Sequence, residues 1–166
     1  MKNVNRLKLR LFAASAMVVV LGAVSPGVTA APLFDFPAGA ACDFRLLVDG
    51  VGGHMVQKLF VDKNGDPVRF LTAGTGQALT FTNFDTGTTL SLRSNGAVSQ
   101  IHFNSDGTYT FVNTGHTILI LFPTDVPAGP TTTLYVGRVV FNADSAFNFT
   151  LLEHDGTATD VCAALS

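Results

Sequence analysis

The chain has 166 residues, 47 % of them apolar or aromatic, with 10 Lys and Arg against 12 Asp and Glu and a formal charge of −2. That is enough chain and enough apolar side chain for one domain with a core of its own. The charge balance excludes the clustered Lys and Arg that a nucleic-acid footprint requires.

Residues 1–30 read as a secretory signal peptide. Lys2, Arg6, Lys8 and Arg10 form a basic start, residues 11–24 are apolar and uncharged, Ser25-Pro26-Gly27 breaks the run, and Val28-Thr29-Ala30 offers small residues for cleavage. The apolar run is too short to cross a bilayer comfortably. No second long apolar run follows, and no cysteine stands at the cleavage point to take a lipid. The expected product is therefore exported, starts at Ala31, has no membrane anchor and is a single domain over 31–166. All twelve acids lie after residue 30 and only six basic residues do, so that domain is acidic. An acidic surface also argues against docking on anionic lipid.

After a short Pro-bearing lead (31–41) the chain reads as strand and turn. Predicted strands cover 43–49, 54–62, 68–72, 78–83, 88–94, 98–103, 108–114, 117–122, 132–142 and 147–153. Turn signals separate them: Asn64-Gly65, Gly74-Thr75-Gly76, Asp85-Thr86-Gly87, Asn95-Gly96, Asp106-Gly107, Gly115 and Asp155-Gly156. Asn-Gly and Asp-Gly tolerate the positive φ of tight hairpins. Turn centres recur about every ten residues from 75 to 115, the pitch of a hairpin meander.

Period-two alternation is clean in the middle of the chain. Leu79 and Phe81 oppose Thr80 and Thr82, Leu90 and Leu92 oppose Thr89 and Ser91, and Tyr109 and Phe111 oppose Thr108 and Thr110. Such strands are antiparallel with one side in water. The segments TILILF (117–122) and LYVGRVVF (134–141) are apolar on both sides and are expected in the middle of a sheet, covered twice. The expected fold is all-β, an antiparallel meander of about nine or ten strands closing in a barrel-like way, with a β-sandwich as the alternative. Residues 158–165 are a short terminal helix or a last strand.

Cys42 and Cys162 stand near the two ends of this region. In an oxidising compartment an isolated pair of this kind is expected to form a disulfide, two buried thiols being the alternative. Neither belongs to a Cys-x-x-Cys motif.

Few motifs carry chemistry. Asp62-Lys63-Asn64-Gly65-Asp66 places oxygens like the start of a calcium loop, but Pro67 and Ala73 stand where that loop needs Gly and Glu, so it reads as a polar turn. His54, His102, His116 and His154 show no metal-ligand spacing. No Gly-x-Ser-x-Gly elbow occurs, and Glu153 is the one Glu, which argues against a carboxylate pair for sugar hydrolysis. The Gly50–Gly53 region and residues 73–76 are turns, since no Lys-Ser/Thr and helix follow them. Asn148-Phe149-Thr150 matches the N-glycosylation pattern but falls in a predicted strand, and no modification is expected.

Arg45, Arg69, Arg93 and Arg138 each fall in a predicted strand. Arg138, between Gly137 and Val139 on the most apolar strand, is the candidate ligand-binding residue, able to hold a carboxylate in a cavity. Its bland alternative is an interior ion pair with an Asp, or an outlet to water at a strand end. The Pro-bearing stretch 122–137 is the one long connection, either a functional lip or a crossover.

Gly115 to Phe141, GHTILILFPTDVPAGPTTTLYVGRVVF, with the terminal Thr159-Asp160-Val161-Cys162-Ala163-Ala164-Leu165, resembles a group of small secreted β proteins of actinomycete-type bacteria that carry an early and a late cysteine. The resemblance implies export and the disulfide, and brings no assigned activity with it. The leading expectation is a secreted, non-enzymatic β domain that binds a small apolar or acidic ligand or another protein. The cavity would open near residues 123–130. The runner-up is a small enzyme using Arg138, His116 or His102 and one Asp. No metal and no cofactor is implied.

Overall fold

A computed structural model describes residues 31–166; the expected signal peptide, residues 1–30, lies outside them. Ten strands form: β1 (Phe34–Phe36), β2 (Leu46–Val51), β3 (His54–Val61), β4 (Pro67–Thr75), β5 (Ala78–Asn83), β6 (Thr89–Leu92), β7 (Gly96–Phe103), β8 (Tyr109–Leu121), β9 (Thr131–Ala143) and β10 (Phe149–Asp160). A single turn of helix, α1 (Val161–Ala164), follows. The fold is all-β and every strand pairing is antiparallel.

The expected barrel-like closure does not form. The strands make two sheets, one of order β1-β2-β5-β6 and one of order β10-β9-β8-β7-β4-β3, and β10 and β3, the edges of the second, do not pair with each other. The architecture is sandwich-like. The meander is interrupted after β4, where the β5–β6 hairpin leaves for β2 and the chain returns as β7 beside β4. The cause is the one-sided apolar pattern of the hairpin. Leu79, Phe81, Leu90 and Leu92 share a side with Leu46 and Val48 in the register of the small sheet. That side is buried against Ile118, Ile120 and Leu134 of the large sheet. Each large apolar side chain so buried contributes roughly 1.5–3 kcal/mol. The opposite side is polar and exposed to water, with the hydroxyls of Thr80 and Ser91 hydrogen-bonded at 3.3 Å.

The other side of β8 and β9 carries a second cluster, Leu119, Leu121, Tyr135, Val139 and Phe141, joined by Phe111, Phe149 and Leu151. The rings of Phe111 and Phe141 stack at 4.7 Å, and Phe149 lies 5.2 Å from Phe141. The two segments read as apolar on both sides are thus interior strands with a core on each side. Both are longer than predicted. Gly115 is no turn but an interior position of β8, which runs unbroken through it.

Gly115 belongs to a row that crosses the large sheet. Gly156 stands opposite Gly137, Gly137 opposite Gly115, Gly115 opposite Ala97, and Ala97 opposite Gly74. All four glycines have positive φ, from 93° to 146°. A Cβ at any of them would strike a carbonyl oxygen of the neighbouring strand. Glycine in mid-strand permits a bend or a close approach, and this row is a crease in the sheet. The small sheet packs on one side of the crease only, against residues 118, 120 and 134.

The connection 122–130 is fastened to the edge of β10. The buried Asp125 carboxylate accepts the N–H groups of Phe122 and Phe149 at 2.6 and 2.7 Å. Val126 makes a parallel bridge to Thr150, donating to Phe149 O and accepting from Leu151 N. At the C-terminus both readings of 158–165 occur in sequence: strand to Asp160, then helix. Asp160 caps the helix by accepting Ala163 N–H. A disulfide joins Cys42 and Cys162, 120 residues apart, and Asn83 Nδ2 donates to Leu165 O at 3.1 Å.

Candidate binding clefts

Arg138 follows Gly137 on β9 and is the exposed residue of that strand, with Val139, Val140 and Phe141 buried after it. Its Nη1 donates to Glu153 Oε1, and the two side chains are 46 % and 58 % exposed. It lines neither of the two clefts described below. The pair differs from the interior one with an Asp that the sequence suggested: it is exposed and its acid is Glu153.

The first cleft, about 370 Å³, lies beside the Pro-bearing connection at Thr124 and Val126. Its polar walls are Thr108, Asn142, Asp144, Asn148 and Thr150, and Ala143 and Phe149 add apolar surface beside Val126. Most of these polar groups are already committed. Asp144 accepts from Asn148 Nδ2 at 2.8 Å and from the backbone N–H groups of Ala146 and Asn148. The same bond engages the Asn148 side chain of the glycosylation pattern. The Oδ1 of Asn142 is buried without a partner. It offers a ligand less apolar surface than the second cleft does.

The second cleft, about 400 Å³, opens between the sheets. Its floor is Leu79 and Leu92 from the small sheet with Ile118 and Leu134 from the large one, and Gln77, Arg93, Asn95 and His116 stand at its rim. Period two explains the floor, since Leu79 and Leu92 are direct cross-strand partners, as are Ile118 and Leu134. The rim is stitched together locally. Asn95 Nδ2 donates to Arg93 O at 2.9 Å, Gly76 N–H donates to Asn95 O at 2.9 Å, and Ser94 Oγ donates to Gly76 O. These bonds hold residues 76–77 and 93–95 as one wall. The Arg93 guanidinium has no ion pair or hydrogen bond among the described residues. No Asp, Glu or Cys lines this cleft, and its one hydroxyl, Ser91 Oγ, is bonded to Thr80. The arrangement lacks both a carboxylate pair and an activated nucleophile.

Arg93 and His116 stand far apart in the sequence and are brought together only by the packing of the sheets: Arg93, expected within a strand, follows the end of β6 in the small sheet, and His116 lies in β8 of the large one. His102 is placed elsewhere, opposite Arg69, and His154 packs against the ring of Tyr135 at 5.2 Å. Among the described residues no three His, Cys, Asp or Glu converge on a point where a metal ion could sit. The Asp62–Asp66 segment is a turn whose Asp62 Oδ1 accepts the N–H groups of Asn64 and Asp66 at 2.8 and 2.9 Å. Among the described residues no helix is long and apolar enough to cross a membrane. Comparison with protein-family models, with curated proteins and with solved structures found no match.

Proposed function

We propose that this is an exported binding domain that takes a small apolar ligand with an anionic head in the cleft between its two sheets. The observation that carries the reading is an apolar floor contributed by both sheets, closed at its rim by His116 and by Arg93, which has no ion pair among the described residues. Ligand sites commonly combine a largely apolar lining with a few convergent polar groups, in volumes of roughly 300–1,000 Å³. An alkyl or aryl tail would lie on Leu79, Leu92, Ile118 and Leu134, gaining about 0.8 kcal/mol per buried methylene. Arg93 would meet a carboxylate with its two-pronged donor geometry. The site binds rather than turns over, because its lining supplies no acid–base or nucleophilic pair.

The test is titration calorimetry with octanoate, octanol and octylammonium as probes. Octanoate is expected to bind best. Arg93→Met is expected to weaken octanoate about tenfold or more, the scale of one charge-assisted contact, and to leave octanol nearly unchanged. Equal binding of all three probes, or octanoate binding that survives Arg93→Met, would overturn the assignment.

Export is the second half of the reading. It rests on the character of residues 1–30 and on the Cys42–Cys162 disulfide, which suits an oxidising compartment. Intact-mass measurement of protein from the culture medium should show a chain beginning at Ala31. A full-length product held in the cell envelope would contradict it.

A further inference from the structure

We propose that the large sheet continues from one copy of this chain to the next, with β3 of one molecule pairing antiparallel to β10 of another. Both are edge strands of that sheet; among the described residues β3 has no partner on its outer side, and β10 has there only the Val126 bridge at Thr150. An open edge is a template for another strand, and proteins that stay monomeric usually shorten, bulge or cover it. β3 is neither short nor covered: it has eight residues, all but Phe60 exposed, and the register shift in its pairing with β4 comes only at its end, between Phe60 and Val61. Its exposed residues include Val56 (60 %), Leu59 (50 %) and Val61 (53 %).

Length and charge identify the complement. The connection 122–130 occupies the β10 edge through Thr150 and Leu151, which leaves residues 152–160 free. Eight residues of β3 fit this stretch in the antiparallel sense. β3 carries Lys58 and no acid. Lys58 Nζ and the Arg69 guanidinium both lie over the Phe60 ring, at 4.8 and 4.1 Å. β10 carries Glu153, Asp155 and Asp160 and no Lys or Arg. Arg138 stands directly opposite Asp155 but bonds to Glu153, so Asp155 keeps an uncompensated charge.

The pleat makes these charges meet. One cross-strand row runs Lys58, Leu71, Gln100, Val112, Val140, Glu153, so the two ends of the row lie on the same side of the sheet. Pairing Lys58 directly with Glu153 would drive Phe60 and Val61 into the edge already held by Val126. A shift of two residues clears that obstacle and preserves the sides. Lys58 then faces Asp155, Phe60 with its two cations faces Glu153, and Val61 falls beside the exposed Leu152 at the β10 bulge. A single Lys commonly guards an edge against pairing; here the guard is matched by acids on the opposite edge. The contact joins two different surfaces, so it propagates head to tail into a ring or a filament.

Sedimentation velocity on the purified chain, over a range of concentration and salt, tests this. Species larger than a dimer should grow with concentration and recede at high salt. Lys58→Glu and Asp155→Lys should each weaken assembly about tenfold. Both positions are exposed, so each variant should keep the parent far-UV circular dichroism. The double variant should recover assembly, and an equimolar mixture of the two single variants should assemble where neither does alone. A monomer at every concentration would overturn the proposal. So would a Lys58→Glu effect with none from Asp155→Lys, which would point to β3 pairing with β3 or with an unrelated extended segment.

Discussion

At the scale of single residues, the aspartates of the turns are the clearest case of local chemistry set by sequence. Asp62, Asp106 and Asp144 each precede a tight reversal and accept N–H or O–H groups from residues two to four positions on. The carboxyl of Asp62 is held below its ordinary value chiefly by the N–H of Asp66. Those of Asp106 and Asp144 are held down chiefly by the side chains of Thr108 and Asn148. A carboxylate whose folded value is depressed adds stability above its unfolded value, and that stability is lost as pH falls through the folded value. The window therefore begins near the ordinary value of 3.8 and extends below it. Urea midpoints should fall as the protein is taken from about pH 5 to 2. A triple variant with Asn at the three positions should be weaker at neutral pH and flatter across the acid limb. An unchanged acid limb in that variant would assign the loss to other groups. These turns were legible because every partner lies within four residues. The surroundings of Arg138 were not, because which side of β9 is covered at that point depends on a sheet built from residues 34–92.

At the scale of elements, most strands were legible from alternation, and the failures were about glycine. Asn64-Gly65 and Asp106-Gly107 are true hairpin turns, with hydrogen bonds from Gly65 N–H to Asp62 O and from Gly107 N–H to Asn104 O. Gly115 carries a similar local signal, yet β8 runs straight past it. The difference is not local. Gly115 is held at positive φ between Ala97 and Gly137, one member of a row whose other members lie on four other strands. A row of this kind has no signature within any one window of sequence. Its consequence is testable at Gly137, where φ is 138° and a Cβ would meet Asp155 O. Gly137→Ala should destabilise by about 1–3 kcal/mol from the backbone term, with the collision adding to it. Gly87→Ala also falls at positive φ but has open space around it, and should cost less. Equal losses at the two sites in urea denaturation would show that the crease has no packing role.

At the scale of the whole molecule, two features decide the architecture, and the sequence contained one of them. The absence of closure was illegible. Ten alternating strands satisfy a barrel or a sandwich equally well, and the choice turns on where the β5–β6 hairpin buries its leucines. The long-range tie was legible, because two cysteines in an expected export product have few other uses. Cys42 is wholly buried beside Ala41, Leu46, Val161 and Leu165, so the bridge joins the start of the domain to α1 within the core between the sheets. Thr132 reinforces the same place, its buried hydroxyl donating to Ala41 O at 2.9 Å. Constraining a loop of 120 residues lowers the entropy of the unfolded chain, by roughly 4–5 kcal/mol in the chain-entropy account. The native contacts around the bridge are not all lost with it: Asn83 still holds Leu165 O, and Asp160 still caps α1. Replacing both cysteines by Ala should therefore lower the unfolding free energy by about 2–5 kcal/mol while the folded state keeps its near-ultraviolet spectrum. A loss well below that range would mean that the packing of Val161 and Leu165 already fixes the C-terminus. Loss of the folded spectrum altogether would mean that the core between the sheets cannot assemble without the covalent tie.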